Sequence, residues 1–282
     1  MPYLSDKVLR AYRADTFRLL PGALITNVED ALTFVEDRGF VNLWPIKGID
    51  LPSLWTAVAG DRPVANEHDD PGHITWRWKD EMLSRRRWYY GKLLRGKATF
   101  VSMHVLPYFY ALTERVAELD DYQLAYEAGH LSQEARVVAV VLYTKGAQHT
   151  IQLRRMAHLS ARSSKSRFNK ALVDLQRGLW VMPVGVAHAG SWRYAFTYEL
   201  LDRWLPEISQ RARGIKMLEA RAYLAKLCLD SVGASTPRAI SRLFGWQTKE
   251  ITSALSRLEG AGCATALNDG RWATVKVLGN SL

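Results

Sequence analysis

The sequence predicts a mainly α-helical protein with short β-hairpins, built from tandem winged-helix (helix-turn-helix) modules. Three observations predict this fold class. Apolar residues recur at helical spacing in several long segments, two regions repeat the order of three helices and a hairpin, and an Asn-Asp-Gly turn joins the last two predicted strands. We therefore divide the chain into an N-terminal winged-helix-like module over residues 1–130, a second winged helix over 131–212 and a C-terminal winged helix over 213–282.

The N-terminal module combines helical and strand patterns around the polar loop GDRPVANEHDDPGH. VEDALTFVEDRG and DLPSLWTAVAG predict helices, the second opened by Asp50, and FVNLWPI predicts a strand that Pro45 breaks. KDEMLSRRRWYYGKLLRG predicts a long basic helix, and KATFVSMHVL predicts a strand. These elements could form a third, more elaborate winged helix.

The second module contains the repeated order in full. Residues 133–146, 150–159 and 164–178 predict three helices, and LWVMPVGVA with WRYAFTYEL predicts the hairpin. The apolar inner face of the third helix consists of Phe168, Ala171, Leu172 and Leu175. Near the solvent side lie three basic residues that we expect to contact DNA, namely Lys165, Arg167 and Lys170. An ordinary helical hairpin beside a sheet is the alternative.

The C-terminal module ends in the clearest turn signal. GIKMLEARAYLAKLCLDSVG predicts a helix that stops at Gly233. STPRAISRLFG predicts a short helix that is opened by Ser235 and has Pro237 in its first turn. WQTKEITSALSRLEGAG predicts a helix that Thr248 can cap. CATAL and WATVKV then predict two strands joined by the turn NDGR.

The composition is that of a basic globular protein. Hydrophobic residues make up 48% of the chain, which excludes a disordered protein. The 38 Lys and Arg exceed the 28 Asp and Glu, giving a net charge of +10 and a pI near 9.6. A surface of this charge attracts polyanions, and nucleic acid is the first candidate. A basic protein that its charge merely keeps soluble is the alternative.

Several classes of protein are not indicated by the sequence. Cys228 and Cys263 show no spacing typical of a disulfide framework or a zinc site, so we predict no metal. The chain contains no apolar run of 18 residues and no secretory signal, so we expect a cytoplasmic protein that does not bind a membrane. It has neither GxGxxG nor GxxxxGK[ST], and we expect no cofactor. No obligate protein partner is evident.

The stretch LSRRRWYYGKLLRGKATF, residues 83–100, is both basic and aromatic. On a helix, its inner stripe would contain Met82, Tyr89, Leu93 and the methylenes of Arg86. Its outer stripe would contain Arg85, Trp88, Lys92 and Arg95. A solvated face could account for the arginines but not for the aromatic residues beside them. We therefore predict contacts to DNA phosphates and unstacked bases from Arg85, Arg86, Arg87, Trp88, Lys92 and Arg95.

The tandem modules, together with WRYAFTYELLDRWLPE over residues 192–207, resemble the AlkZ-like DNA glycosylase family. Members of that family carry a comparable R-Y-D-L-x-E-R-x-L-P segment. The resemblance spans most of the chain and is strongest over residues 130–270. It implies a monofunctional glycosylase that removes alkylated or bulky adducted bases, some of them from interstrand cross-links.

The family's catalytic signature is Gln, an apolar residue, then Gln or Asp, usually followed by Pro. The corresponding segment here is FVNLWPI. Asn42 keeps an amide that is one methylene shorter, whereas Trp44 replaces the second polar residue. The resemblance thus implies that Asn42 is catalytic and that Trp44 lies in the base pocket. The replacement of the second polar residue by Trp44 departs from the signature at a position that bears on the specificity for alkylated purines.

Release of a base requires a group that positions or deprotonates water. An alkylated purine is already cationic, and an amide can suffice to orient the water, whereas a neutral pyrimidine should need a carboxylate. Asp80 and Glu81, which lead into the predicted basic helix, are our candidates for that carboxylate. The alternative is a pair that stabilises the start of that helix.

Four tryptophans could stack on an extruded base, namely Trp44, Trp76, Trp78 and Trp88. We assign Trp44, Trp78 and His68 to the base pocket. His68 could also suggest a metal together with Asp69, Asp70 and His73. Acidic turn residues beside proline are commonplace, so we do not predict one.

These observations lead to one preferred function. We expect a DNA glycosylase that cleaves the N-glycosidic bond of a bulky or modified base in double-stranded DNA and leaves an abasic site. The base is an alkylated or cross-linked purine, or a hypermodified one such as the sugar-bearing cytosine of some phage DNA, whose excision would be antiviral defence. The alternative is a non-enzymatic winged-helix transcription regulator.

Overall fold

The computed structural model describes residues 2–67, 69–113, 115 and 118–279. These residues are mainly helical and form three small antiparallel sheets, which confirms the predicted balance of helices and short hairpins. The helices are α1 (Asp6–Thr16), α2 (Val28–Arg38), α3 (Leu54–Ala59), α4 (Ile74–Leu83), α5 (Leu106–Tyr110), α6 (Tyr122–Glu127), α7 (Gln133–Lys145), α8 (Thr150–Met156), α9 (Lys165–Arg177), α10 (Leu201–Trp204), α11 (Pro206–Ala212), α12 (Met217–Val232), α13 (Pro237–Phe244), α14 (Thr248–Gly260) and α15 (Val275–Gly279). The strands are β1 (Phe40–Asn42), β2 (Trp88–Gly91), β3 (Thr99–Ser102), β4 (Gln148–His149), β5 (Val181–Ala187), β6 (Ala195–Leu200), β7 (Ala234–Ser235), β8 (Ala264–Ala266) and β9 (Trp272–Thr274).

The first sheet has the strand order β1-β3-β2. Phe40 pairs with Val101 across β1 and β3, and Trp88 pairs with Ser102 across β2 and β3. Helix α2 precedes β1, and α3 and α4 lie between β1 and β2. The chain order in this region is therefore helix, strand, two helices and a hairpin.

The same order occurs twice more. It recurs from α7 to β6 and again from α12 to β9, with strand orders β4-β6-β5 and β7-β9-β8. In each sheet the last strand of the chain order lies in the middle. The recurrence is compatible with three related modules, while their assignment as winged helices and the module boundaries stay predictions.

Helix α9 illustrates how apolar spacing sets the packing. Phe168, Ala171, Leu172 and Leu175 are buried in a core shared with α7, as the helical periodicity predicted. The basic residues of α9 that were expected near solvent are exposed. The core side and the solvent side of this helix were therefore both predicted correctly.

Three helix starts differ from the predicted ones by a few residues. Ser53 caps α3 in place of Asp50, because its hydroxyl accepts from the Thr56 N–H. Thr236 rather than Ser235 caps α13. Gln247 and Glu250 form a capping box at α14, so Thr248 is its first residue and not its cap.

The predicted long basic helix is wrong. Helix α4 ends at Leu83, Arg86 adopts a left-handed backbone with φ of 54°, and the following aromatic residues form β2. The side chains of β2 alternate between two cores, since Trp88 and Tyr90 belong to one and Tyr89 to the other. This period of two is possible only on a strand, and it buries aromatic residues on both faces of the sheet.

Helix α1 packs against the C-terminal region. The Tyr12 hydroxyl donates to the Asp230 carbonyl, the Arg13 guanidinium to Val232 and the Thr16 hydroxyl to Ser231. These bonds satisfy carbonyls at the end of α12. In the part of the chain that the structure describes, no helix is both long and apolar enough to cross a membrane.

Candidate active site

A cleft of about 630 Å³ opens between the first sheet and the β5–β6 hairpin. We call it the aromatic cleft because its lining includes the rings of Trp44, Trp76, Tyr90, Phe196 and Tyr198. Its lining also includes Gln176 and four cationic side chains, Lys47, Lys92, Arg95 and Lys97. A concave site with aromatic walls and a few polar groups is the usual form of a ligand pocket.

Two tryptophans form one wall of the aromatic cleft. Trp44 follows β1 and Trp76 lies in α4, and their ring centroids are 5.9 Å apart. Trp76 is 42% exposed, which is unusual for so large an apolar side chain. A flat base could therefore stack on its open face. The assignment of Trp44 to a base pocket stays a prediction.

Asn42 lies in β1, two residues before Trp44. It is 1% exposed, and its main-chain N–H donates to the Pro52 carbonyl. Among the described residues, its side-chain Nδ2 has no hydrogen-bond partner. A buried donor without a partner costs about 1–3 kcal/mol, and such a group calls for an explanation. A bound substrate or water at this amide would supply one, and the catalytic role of Asn42 stays a prediction.

Asp80 and Glu81 lie near the end of α4 and not at its start, so the interpretation as a helix-start pair is wrong. Asp80 follows Trp76 by one helical turn, and its Oδ1 accepts hydrogen bonds from the Tyr194 hydroxyl at 2.9 Å and from Lys79 Nζ at 2.8 Å. Glu81 is exposed and lies 3.5 Å from Arg77. Only Asp80 of the pair therefore connects to the aromatic wall.

The other residues assigned to the base pocket have different surroundings. Trp78 is buried in the core on the α4 side of the first sheet. Trp88 is 1% exposed in the same core, so the prediction that it faces outward is wrong. His68 lies outside the described residues. Of the tryptophans considered as stacking partners, Trp44 and Trp76 are the two that line the aromatic cleft.

The basic stretch is split between the two ends of β2. Lys92, Arg95 and Lys97 lie in the connection from β2 to β3, which we call the cleft loop, and all three line the aromatic cleft. The Lys92 main-chain N–H donates to Gln176 Oε1, and burial of the Lys92 side chain lowers its pKa. Lys97 is a cleft residue that the sequence analysis missed. A single helix could not have brought these three together.

Arg85, Arg86 and Arg87 form what we call the basic turn, at the other end of β2. The Arg86 guanidinium lies 4.3 Å from the Trp204 ring centroid, and Arg87 lies 3.4 Å from Glu29. All three are exposed. Two of these cations therefore already have partners within the protein.

The basic residues of α9 are exposed, and two of them are also paired. Arg167 lies 3.0 Å from Glu134, and Lys170 lies 2.6 Å from Asp174. Lys170 also lines a second groove of about 750 Å³ that includes Arg95 and Arg177. Arg95 thus belongs to both the aromatic cleft and this basic groove.

A buried lysine was missed altogether. Lys79 in α4 contacts Tyr194 and Phe196, which follow it by more than 100 residues in the sequence. A weak signal for its burial was present, because Lys79 shares helical spacing with the buried Thr75 and Met82. Nothing in that spacing identified its partners. In the described part of the chain, no group of three or more His, Cys, Asp and Glu side chains could hold a metal ion.

Comparison with known proteins places the fold. A search of curated proteins found no match. The structure is similar to that of the Streptomyces sahachiroi DNA glycosylase AlkZ, with a TM-score of 0.58 and 13% sequence identity, over 96% of this chain and 70% of that one. At this identity the likeness shows the fold alone. A family model described as AlkZ related matches residues 25–245, and because this match covers most of the sequence, the chain belongs to the AlkZ-related family.

Proposed function

We propose that this protein is a monofunctional DNA glycosylase that hydrolyses the N-glycosidic bond of a bulky or modified base and leaves an abasic site. The observation that carries the proposal is the aromatic cleft, bordered by the cleft loop, in a chain of the AlkZ-related family. Open aromatic faces suit an extruded base, and the cations beside them suit the phosphates on either side of it.

The proposed mechanism assigns a task to each group near the aromatic cleft. Trp44 and Trp76 stack on the extruded base, while Arg95 and Lys97 hold the backbone. Asn42 orients the attacking water with its unpaired amide, and Asp80, which the Tyr194 hydroxyl joins to Trp76, is our candidate for the carboxylate that accepts a proton from that water. Departure of the base then gives an oxocarbenium-like sugar that the water attacks.

Charge favours one class of substrate over the other. Four cations and no acidic side chain are among the residues of the described chain that line the aromatic cleft. A cationic alkylated purine would be repelled there, whereas a neutral hypermodified base would not. We therefore place a hypermodified base, such as a sugar-bearing cytosine of phage DNA, ahead of an alkylated or cross-linked purine. Its excision would be a form of antiviral defence. The carboxylate that release of a neutral base requires would be Asp80, which does not line the cleft but is joined to Trp76 through Tyr194.

The repeated topology supports the proposed way of binding duplex DNA. Each sheet has a hairpin preceded by two helices, and in α9 the exposed side of the second of these helices carries Lys165, Arg167 and Lys170. We propose that these units are winged helices and that such basic faces position the duplex through its phosphates. The partner is then double-stranded DNA that contains the modified base.

The experiment uses duplexes that each carry one alkylated, cross-linked or glucosylated base, with an unmodified duplex as reference. Alkali-labile abasic sites should appear in at least one modified duplex and not in the reference. Trp76→Ala should reduce them, whereas Tyr3→Ala, which also removes an exposed ring, should not. If the parent protein binds DNA but releases no base from any duplex, the transcription regulator becomes the better proposal.

A further inference from the structure

Lys79 is completely buried although it carries an ionisable amine. Lysine is almost never buried to this degree unless its charge is paired. Its position in the middle of α4, one turn from the end of the helix, directs it toward the β5–β6 hairpin, with which it makes its contacts. We therefore infer that the buried Lys79 helps to hold α4 and the hairpin together.

The polar contacts of Lys79 form a closed set. Its Nζ donates to the Tyr194 hydroxyl at 2.8 Å and lies 2.8 Å from Asp80 Oδ1. The Tyr194 hydroxyl donates to Asp80 and also accepts from Trp76 Nε1 at 3.2 Å. A phenolic hydroxyl has one donor and two acceptor sites, so the capacity of Tyr194 is fully used. The indole of Trp76 is thereby fixed through its N–H.

The ammonium group also contacts aromatic faces. Its Nζ lies 4.4 Å from the ring centroid of Trp76 and 4.5 Å from that of Phe196. Tyr90 and Tyr194 lie farther away, at 5.4 and 5.5 Å. These distances are within the range of a cation–π interaction. Trp76, Tyr90 and Phe196 line the aromatic cleft, whereas Lys79 is hidden from solvent, so the charge lies behind the wall that a base would contact.

We propose that Lys79 is a positioning residue whose ammonium group holds Trp76, Tyr90 and Phe196 in the orientation that binds the extruded base. The identity of the bound group as a base rests on the proposed function. The positioning itself does not, because every contact that produces it lies within the protein. Lys79 acts on the substrate only through the rings.

The protonation of Lys79 offers a readout. Burial lowers its pKa to about 8, although Asp80 opposes this shift. The other titratable groups that face it are Tyr194 from the hairpin, Tyr90 from β2 and Lys92 from the cleft loop. Burial raises the pKa of both tyrosines well above the usual range, so they stay neutral in this interval. Burial also lowers the pKa of Lys92, so the comparison with Lys79→Met identifies the part of a pH response that comes from Lys79. Loss of the Lys79 charge near pH 8 should loosen the wall.

The first test measures acrylamide quenching of Trp76, taken as the difference between the parent protein and Trp76→Phe, from pH 6.5 to 9.5. Quenching in the parent should rise with a midpoint near pH 8. In Lys79→Met it should be high throughout and independent of pH. Lys7→Met, which also removes one lysine charge but from the exposed face of α1, should behave as the parent does. Equal, pH-independent quenching in the parent and Lys79→Met would overturn the proposal.

The second test measures base release from the duplex that the parent protein accepts. Lys79→Met should raise KM by roughly tenfold and change kcat by less than roughly threefold, because a wall that binds base and transition state equally contributes uniform binding. A loss of kcat at unchanged KM would mean that Lys79 acts through Asp80 and not through the rings. Should Lys79→Met fail to fold, Tyr194→Phe removes the hydroxyl that joins Lys79 to Trp76 and should raise Trp76 quenching. The quenching result stands even if no duplex is cleaved, so it separates this proposal from the proposed function.

Discussion

The cleft loop and the basic turn lie at opposite ends of the same strand and carry the same number of cations. At the cleft end, Lys92, Arg95 and Lys97 surround an aromatic site. At the other end, Arg86 lies over Trp204 and Arg87 pairs with Glu29. The four residues of β2 separate the two groups by about 13 Å. A dense run of basic residues therefore does not define one surface, since what each cation contacts depends on where the strand places it.

The largest expected effect is on catalysis, and it comes from residues that belong to neither the cleft loop nor the basic turn. Asn42→Ala and Asp80→Asn should each slow single-turnover base release at least roughly a hundredfold, the scale of a lost water-positioning or general-base group. Binding of DNA should remain. Asn42→Ala should keep its thermal stability, whereas Asp80→Asn should lose some, because Asp80 is the carboxylate beside the buried Lys79.

The control for that experiment is Arg87→Ala in the basic turn, which should release base at the parent rate. If Asn42→Ala and Asp80→Asn also match the parent, neither residue activates water. The chemistry would then have to be sought among the side chains of the cleft loop.

The next effect compares the two basic groups directly. Replacing Lys92, Arg95 and Lys97 together with Gln should lower the slope of log Kd against log salt by up to roughly 2.7, since each phosphate contact contributes roughly 0.9. Replacing Arg85, Arg86 and Arg87 in the same way should lower it by less than roughly 0.9. Titrations of duplex DNA at several salt concentrations measure both. Equal losses from the two triple variants would show that the contrast between the ends of β2 has no bearing on binding.

The helices were predictable where one face is buried over several turns. In α9 the apolar positions fix which side faces the core, and Gly233 ends α12 with the positive φ that glycine accommodates. The helix predicted for the basic stretch was wrong because the strand signal covers only four residues, Trp88 to Gly91. Helical spacing fitted the surrounding residues equally well. Short elements are decided by the sheet they join, which the local sequence does not specify.

The candidate site was predictable only in part. The resemblance drew attention to Asn42 and Trp44. Trp44 lines the aromatic cleft, whereas Asn42 is buried and does not line it, although its neighbour Leu43 does. Lys79 and Tyr194 were missed because their contact joins residues 115 positions apart. Spacing along the chain carries no information about such a pair.

A smaller effect on DNA binding is expected from α9, where two cations, like those of the basic turn, already have partners within the protein. Arg167→Ala and Lys170→Ala should weaken binding to all duplexes about equally and lower the salt slope by at most roughly 0.9 each. Their ion pairs with Glu134 and Asp174 are exposed and contribute little to stability, so both variants should stay folded. Weakening confined to modified duplexes would instead connect α9 to recognition of the base.

The smallest expected effect concerns two arginines with left-handed backbone, one at each end of β2. Arg86 has a φ of 54° and Arg95 a φ of 51°, a conformation that costs a residue other than glycine about 1–2 kcal/mol. Arg86→Gly relieves this cost but loses the contact with Trp204, which contributes about 0.5–1 kcal/mol, so the free energy of unfolding should hardly change.

Arg95 has no such compensation. Throughout the described residues, no hydrogen bond, ion pair or ring contact involves its side chain, so Arg95→Gly should raise the free energy of unfolding by up to about 1 kcal/mol. Urea denaturation of both variants measures the difference. A strained residue that stabilises nothing in the free protein is typical of a functional site, and Arg95→Gly should accordingly weaken DNA binding while it stabilises the fold. An equal change in the free energy of unfolding for Arg95→Gly and Arg86→Gly would remove this distinction between the two ends of the strand.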